Sequence, residues 1–251
     1  MCFYDNPPLK KELDSGSLVE LTHKIVDLLD RCSAKATFFV LGAVYDWYPD
    51  LVEELAKEGH EVAFHTYSHR RVVSRSLLLQ ELRSAAELIE RFCPTGFRAP
   101  QMKLPHSLLE VLSSYGFRYD SSAYAAVGKP VAVACGSQTI AEVPVSTYPI
   151  VGEGKRVELP RTMLDSFKSL EIPVGSGAFI ALLSAQTINK IVAKLNEKGK
   201  SFIAFVHPWQ LVGVRRIPSS LVERLAKLPY LKRIDEEKLE AILSQHCFDT
   251  I

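Results

Sequence analysis

The sequence predicts an α/β domain: a parallel sheet or barrel with its helices outside. Three observations carry that expectation. Short apolar, β-rich runs alternate with amphipathic helical segments along most of the chain. Runs such as Lys35-Ala36-Thr37-Phe38-Phe39-Val40-Leu41 are continuously apolar, as in strands covered on both faces. Four polar residues of catalytic type, His65, Arg98, Asp120 and His207, each stand at the end of such a run, where parallel α/β folds gather their chemistry.

The elements follow in order. Residues 17–31 read as a helix, because Leu18, Leu21, Ile25, Leu28 and Leu29 recur at three- and four-residue spacing, with Ser17 as cap and Glu20 three residues on. The 35–41 strand is closed by Gly42. A second amphipathic helix covers 49–58 and ends at Gly59. Glu61-Val62-Ala63-Phe64 is a buried strand that runs into His65-Thr66-Tyr67-Ser68-His69. A third helix, 76–92, is built on Leu77, Leu78, Leu82, Leu88 and Ile89. Residues 96–100 form a short strand and turn, and 116–122 a further strand. Between them, 104–115 is a helix with Pro105 in its first turn.

The alternation then loosens. Residues 142–145 form a short strand, and 151–176 are turn-rich. Residues 178–183 lead into a helix over 185–197. A buried strand, 201–206, ends at His207-Pro208-Trp209, and a basic loop with Arg215, Arg216 and Pro218 follows. Two last helical segments flank 231–234. No low-complexity linker or repeat divides the chain, so one domain over 1–251 is expected.

Composition narrows the classes. An apolar content of 47% in 251 residues is ample for a sizeable core, and a net charge of +1 gives no bulk electrostatic case for nucleic acid or a membrane surface. No apolar run approaches the ~20 residues of a membrane span, and the first residues lack the basic and apolar regions of a signal peptide. The cysteines (Cys2, Cys32, Cys93, Cys135, Cys247) are odd in number and contain no Cys-x-x-Cys. They read as reduced thiols, small buried hydrophobes of a cytoplasmic protein. Oligomeric state has no signal in the sequence.

His65 and His69 lie four residues apart where a strand meets a turn, so both imidazoles can address one point. Neutral imidazole is the commonest protein ligand for zinc, and a site that keeps a position open for water takes a third ligand, often a carboxylate. Alone, the pair is equally well explained by chance.

Taken together, the pieces resemble the NodB-like polysaccharide deacetylases of carbohydrate esterase family 4. The matching stretches are Ala36-Thr37-Phe38-Phe39-Val40, Gly59-His60-Glu61-Val62, His65-Thr66-Tyr67-Ser68-His69, Phe97-Arg98-Ala99-Pro100, Tyr119-Asp120-Ser121-Ser122 and Phe205-Val206-His207-Pro208-Trp209. Gly175-Ser176-Gly177-Ala178-Phe179 and the His-Pro-Trp ending are similar to the subgroup found in exopolysaccharide gene clusters. The resemblance implies a distorted (β/α) barrel of about seven strands. It also implies a divalent metal, usually zinc, and hydrolysis of an N-acetyl group from an amino sugar of a glycan. On it, His65 and His69 fall on metal ligands and Arg98 on the arginine that orients a catalytic aspartate. Asp120 falls near the acid that tunes the catalytic histidine, and His207 on that histidine, the general acid. Tyr67, Pro100 and Trp209 fall at the sugar site.

The chain departs from the family at the first motif, a pair of aspartates at the end of the first strand. Only Phe3-Tyr4-Asp5-Asn6-Pro7 lies in that region. One alignment puts Asp5 on the metal-binding aspartate and Tyr4 where the base belongs. The other has the first strand truncated and its motif missing. Neither supplies an obvious base, so reduced or absent deacetylase activity is expected of the 251-residue chain. Two other readings stand beside the deacetylase: a non-catalytic glycan-binding relative, and a hydrolase of the same fold acting on a cyclic amide.

Overall fold

A computed structural model describes residues 11–14, 16–151, 162–212 and 232–251. Asp5, the rest of the Phe3-to-Pro7 stretch, Cys2, the basic loop at Arg215 and the first of the two last helical segments lie outside the described residues.

Residues 37–142 build one six-stranded sheet. Its strands are β1 (Thr37–Val40), β2 (Glu61–Phe64), β3 (Gly96–Phe97), β4 (Tyr119–Asp120), then, after the short β5 (Tyr124–Ala125), β6 (Val131–Cys135) and β7 (Gln138–Glu142). The spatial order is β1-β2-β3-β4-β7-β6. All neighbours pair parallel except β6 with β7, an antiparallel hairpin. Two small pairs lie beside this sheet: β5 with β8 (Val145–Ser146), and β9 (Tyr148–Pro149) with β10 (Glu171–Ile172).

The connecting helices are α1 (Lys11–Asp14), α2 (Ser17–Arg31), α3 (Gly42–Trp47), α4 (Pro49–Lys57), α5 (Arg75–Ser84), α6 (Ala86–Phe92), α7 (Leu109–Ser114), α8 (Met163–Lys168), α9 (Gly177–Leu182), α10 (Ala185–Asn196) and α11 (Glu236–Leu243). One apolar cluster packs α3 to α7 on the sheet through Val52, Phe64, Leu78, Leu82, Phe97 and Leu112. A second joins α2, α9, α10 and α11 through Leu28, Ile180, Ile188 and Leu239.

Several expectations are corrected. Ser17 is the first helical residue and not the cap. Gly16 holds the cap position at φ 77°, and the Asp14 carboxylate accepts the Leu18 N–H at 3.2 Å. The helix expected over 76–92 breaks at Ala85 into α5 and α6. The break falls where Gly42 packs so closely that a Cβ there would stand 2.9 Å from the Ala85 methyl. The 104–115 segment starts with a 3-10 turn, His106–Leu108, and becomes α-helical only at Leu109.

β1 is half-exposed rather than covered on both faces, because among the described residues it pairs with β2 alone. Residues 201–206 are extended and half-exposed but join no ladder. They hang from isolated bonds: the Ser146 N–H donates to Ile203 O, the Phe205 N–H to Gly175 O and the Ser201 N–H to Gly128 O. The strand expected at 142–145 is two elements, the end of β7 and the start of β8, divided at Pro144. Of the four described cysteines, all free thiols, only Cys135 is buried, while Cys93 and Cys247 are exposed.

At the N-terminal end of the parallel strands one carboxylate ties three strands together. Glu61 accepts from Thr37 Oγ1 (2.6 Å), Tyr119 Oη (2.9 Å) and Thr95 Oγ1 (3.3 Å). The Tyr119 hydroxyl is held well above its ordinary pKa by burial and by this carboxylate. Glu61→Ala is expected to cost about 1–3 kcal/mol in urea denaturation, because it leaves the buried Tyr119 hydroxyl and two partly buried threonine hydroxyls without this acceptor. A loss below about 0.5 kcal/mol would show that water replaces the carboxylate.

Candidate active site

The parallel ladder continues one rung past each strand, and that rung fixes the site residues. The His65 N–H donates to Val40 O, Arg98 N–H to Phe64 O, Ser121 N–H to Phe97 O and Val143 N–H to Asp120 O. His65, Arg98, Asp120 and Glu142 therefore step along one edge of the sheet, its C-terminal edge. His207 reaches the same place from the 201–206 segment. His65, His69, Arg98, Tyr124, His207 and Trp209 line a common cleft.

The histidine loop is held from three sides. Thr66 and His69 both adopt positive φ, at 67° and 62°, a costly conformation for side chains other than glycine. Thr66 Oγ1 accepts the His69 N–H at 3.2 Å. The first amides of α3, Gly42 and Ala43, donate to Thr66 O and Tyr67 O. From α5, buried Glu81 accepts the Tyr67 N–H (2.9 Å), the Ser68 N–H (2.7 Å) and Ser68 Oγ (2.7 Å). Sequence reading missed Glu81. Its only signal was an acid on the inner face of an amphipathic helix that follows the motif.

This frame sets the two imidazoles edge to face, with ring centroids 5.1 Å apart. His65 Nδ1 lies 2.6 Å from Arg98 O. A carbonyl can only accept, so Nδ1 carries the hydrogen and Nε2 carries the lone pair, the state a metal-ligating histidine needs. The two residues thus fit the histidine half of a zinc-type site. No group of three His, Cys, Asp or Glu suited to a metal occurs among the described residues, and Asp5, the expected third ligand, lies outside them.

Arg98 is buried and donates from Nε to Ser121 O (2.8 Å) and from Nη2 to Ser121 Oγ (2.7 Å). Its guanidinium carbon sits over the Phe39 ring at 4.1 Å and the Phe205 ring at 5.4 Å. Burial lowers its pKa to about 10, against opposing pulls from Tyr124, Tyr119, Asp120 and Glu142.

Asp120 does not meet His207. Its Oδ1 accepts from Ser122 Oγ (2.5 Å), whose oxygen accepts the Ala99 N–H (2.8 Å), and its carboxyl contacts that of Glu142. Burial pushes the pKa of Asp120 up. It pushes Glu142 further, with the adjacent Asp120 charge as the next cause.

His207 is instead served by Gln210, fully buried in the 3-10 turn Pro208–Leu211. Gln210 Oε1 accepts the His207 N–H (2.9 Å) and faces Nδ1 at 3.2 Å. This pairing puts the Nδ1 hydrogen on Gln210 and leaves Nε2 as the exchanging nitrogen. Trp209 stacks on the His207 ring, centroids 5.2 Å apart at 20°. Two glycines make room: a Cβ on Gly175 would overlap Ile203 O, and one on Gly177 would overlap Gln210 Oε1. The Gly-Ser-Gly stretch is thus a backbone contact for the histidine segment.

Tyr67 packs its ring against Gly42, and its hydroxyl donates to Asp46 (2.8 Å). Pro100 is buried at the start of the turn Pro100–Met102, and its neighbours Ala99 and Gln101 reach the cleft.

Comparison with known proteins fits this geometry. Residues 5–119 match the family model of polysaccharide deacetylases, and residues 113–251 match a domain of unknown function, DUF3473. The chain belongs to the family of DUF3473 proteins, whose model spans more than half of it, and its N-terminal part is similar to the polysaccharide deacetylases. It is 29% identical to a peptidoglycan-N-acetylglucosamine deacetylase of Bacillus cereus over 119 residues, 45% of this chain and 43% of that one. It is also 29% identical to a chitooligosaccharide deacetylase of Azorhizobium caulinodans over 111 residues, 42% of this chain and 53% of that one. The chain thus spans about half the length of these curated relatives. A crystal structure from Mycobacterium smegmatis, assigned as a polysaccharide deacetylase, superposes with a TM-score of 0.57 at 21% identity. It covers 94% of this chain and 75% of that one. Among the described residues, no helix is long and apolar enough to cross a membrane.

Proposed function

We propose that this chain is a metal-dependent hydrolase that removes N-acetyl groups from amino sugars of a polysaccharide or oligosaccharide, on a barrel of the family's distorted kind. The observation that carries the reading is the convergence of an oriented histidine pair, a buried arginine and a second oriented histidine on one cleft. The deacetylase activities for which the Bacillus and Azorhizobium relatives are named support it.

His65 and His69 would hold the ion, zinc by the character of the donors, with Asp5 as third ligand. When bound, such an ion polarises the acetyl carbonyl and acidifies water. The chain's own residues do the rest. Gln210 holds the Nδ1 hydrogen of His207, so Nε2 is the nitrogen that delivers a proton to the departing amine. An amide nitrogen leaves poorly without that proton. Trp209 fixes the plane of the His207 ring by stacking and walls the sugar. Arg98 supplies a buried positive charge beneath the cleft.

The test is metal content of the purified chain with acetate release from N-acetylglucosamine oligomers. About one ion per chain is expected, lost in His65→Ala and in Asp5→Ala. Acetate release is expected to fall at least a hundredfold in His207→Ala. A chain that binds no ion and releases no acetate would instead favour the non-catalytic glycan-binding reading.

A further inference from the structure

Glu142 has no part in the chemistry above, yet it is a buried acid set against another buried acid. It ends β7 in register with Asp120, which ends β4. In a parallel pair, neighbours in register project to the same face. Asp120 is 2% and Glu142 4% exposed, and their carboxyl groups are in hydrogen-bond contact.

Two carboxylates cannot meet in a buried place with both ionised. One proton between them resolves the contact, since a protonated carboxyl donates and an ionised one accepts. The surroundings agree. Ser122 Oγ donates to Asp120 (2.5 Å) and the Ala123 N–H donates to Glu142 Oε1 (3.0 Å). Both bonds leave an oxygen of each acid for the other. The charged and titratable groups that bear on the pair are the Arg98 guanidinium and, through Arg98, the Tyr119 and Tyr124 hydroxyls. With one shared proton the pair carries a single negative charge.

We propose that Asp120 and Glu142, in register and buried at the ends of β4 and β7, share a single proton, so that the pair carries one negative charge between them at neutral pH. The inference rests on the strand register and burial, and stands whether or not the chain is a deacetylase.

A proton held in the folded state and absent from the unfolded one makes folding pH-dependent. The folded pair binds its proton more tightly than free carboxyls do. Its stabilisation is therefore greatest below the ordinary Glu value of 4.5 and falls as pH rises through neutrality. One such proton changes the folding equilibrium constant about tenfold per pH unit.

The test compares urea unfolding of the unaltered chain with Glu142→Gln from pH 6 to 8. Gln keeps an oxygen for the Ala123 N–H and an N–H for Asp120, so the variant needs no proton. The folding constant of the unaltered chain is expected to fall about tenfold per pH unit relative to the variant. Infrared spectroscopy gives a second measurement that needs no variant: at pH 8 the unaltered chain should retain the C=O band of a protonated carboxyl. Parallel pH curves, or a spectrum without that band, would overturn the proposal.

Discussion

In a zinc or cobalt titration, Glu81→Ala is expected to bind the ion ten- to a hundredfold more weakly than the unaltered chain, the usual cost of losing an outer partner of a metal site. Glu81 touches neither imidazole. It holds the loop between them through three donors on Tyr67 and Ser68. Removing the carboxylate leaves two partly buried backbone N–H groups without this acceptor, at up to about 1–3 kcal/mol each. The loop already contains two strained residues, Thr66 and His69, which persist only while their surroundings over-determine them. Once it relaxes, the two rings no longer converge. Glu81→Gln retains one oxygen for the amides and should fall between the two. Unchanged affinity in Glu81→Ala would mean that the α3 amides alone shape the loop. Should the unaltered chain bind no metal, a melting temperature unmoved by Glu81→Ala would lead to the same conclusion.

Gly175→Ala should have the largest effect on stability, at the top of the ~1–3 kcal/mol range for overpacking or beyond it. The atom in the way is the backbone oxygen of Ile203, which cannot turn aside as a side chain can. Gly175 also accepts the Phe205 N–H and donates to Ser146 O, so it is the clasp of the 201–206 segment. Forcing that segment away moves His207, and activity should fall beyond what lost stability explains. Gly199→Ala is the control: its φ of 63° is unfavourable for alanine but nothing lies within 4 Å, so a cost of only about 1 kcal/mol is expected. Equal costs at the two positions would contradict the clasp.

The sequence disclosed the site better than the frame around it, for physical reasons. The parallel strands β2 and β3 are short and hand over directly to His65 and Arg98, and β4 ends on Asp120, so these three are legible by position alone. Glu142 also ends its strand, but that strand begins Gln138-Thr139, polar and exposed, so the apolar run that marks a strand in the sequence starts only where β7 ends. The hairpin signal was present: alternating residues in 131–135, then Gly136 at φ 62° and Ser137 before the return. The 201–206 run looked like a central strand because its composition is apolar. Composition, however, does not reveal whether a partner strand lies alongside. Glu81 was invisible because what matters is which backbone amides its side chain reaches, and that depends on tertiary approach; Gln210 reaches His207 only through the local 3-10 turn. Asp5 lies where neither sequence nor fold gives a geometry.

The Glu61 knot at the far end of the sheet has a consequence in time rather than in energy. Its partners lie 24, 34 and 58 residues away. Each bond encloses a loop whose entropy must be lost before the contact is rewarded. Bonds of this kind close late, after the barrier to folding has been crossed, and contribute little to the speed of folding. Their weight falls on the return journey: the knot must open before the strands separate, so it lengthens the life of the folded state. In a kinetic experiment on Glu61→Ala the unfolding limb should move while the refolding limb stays in place.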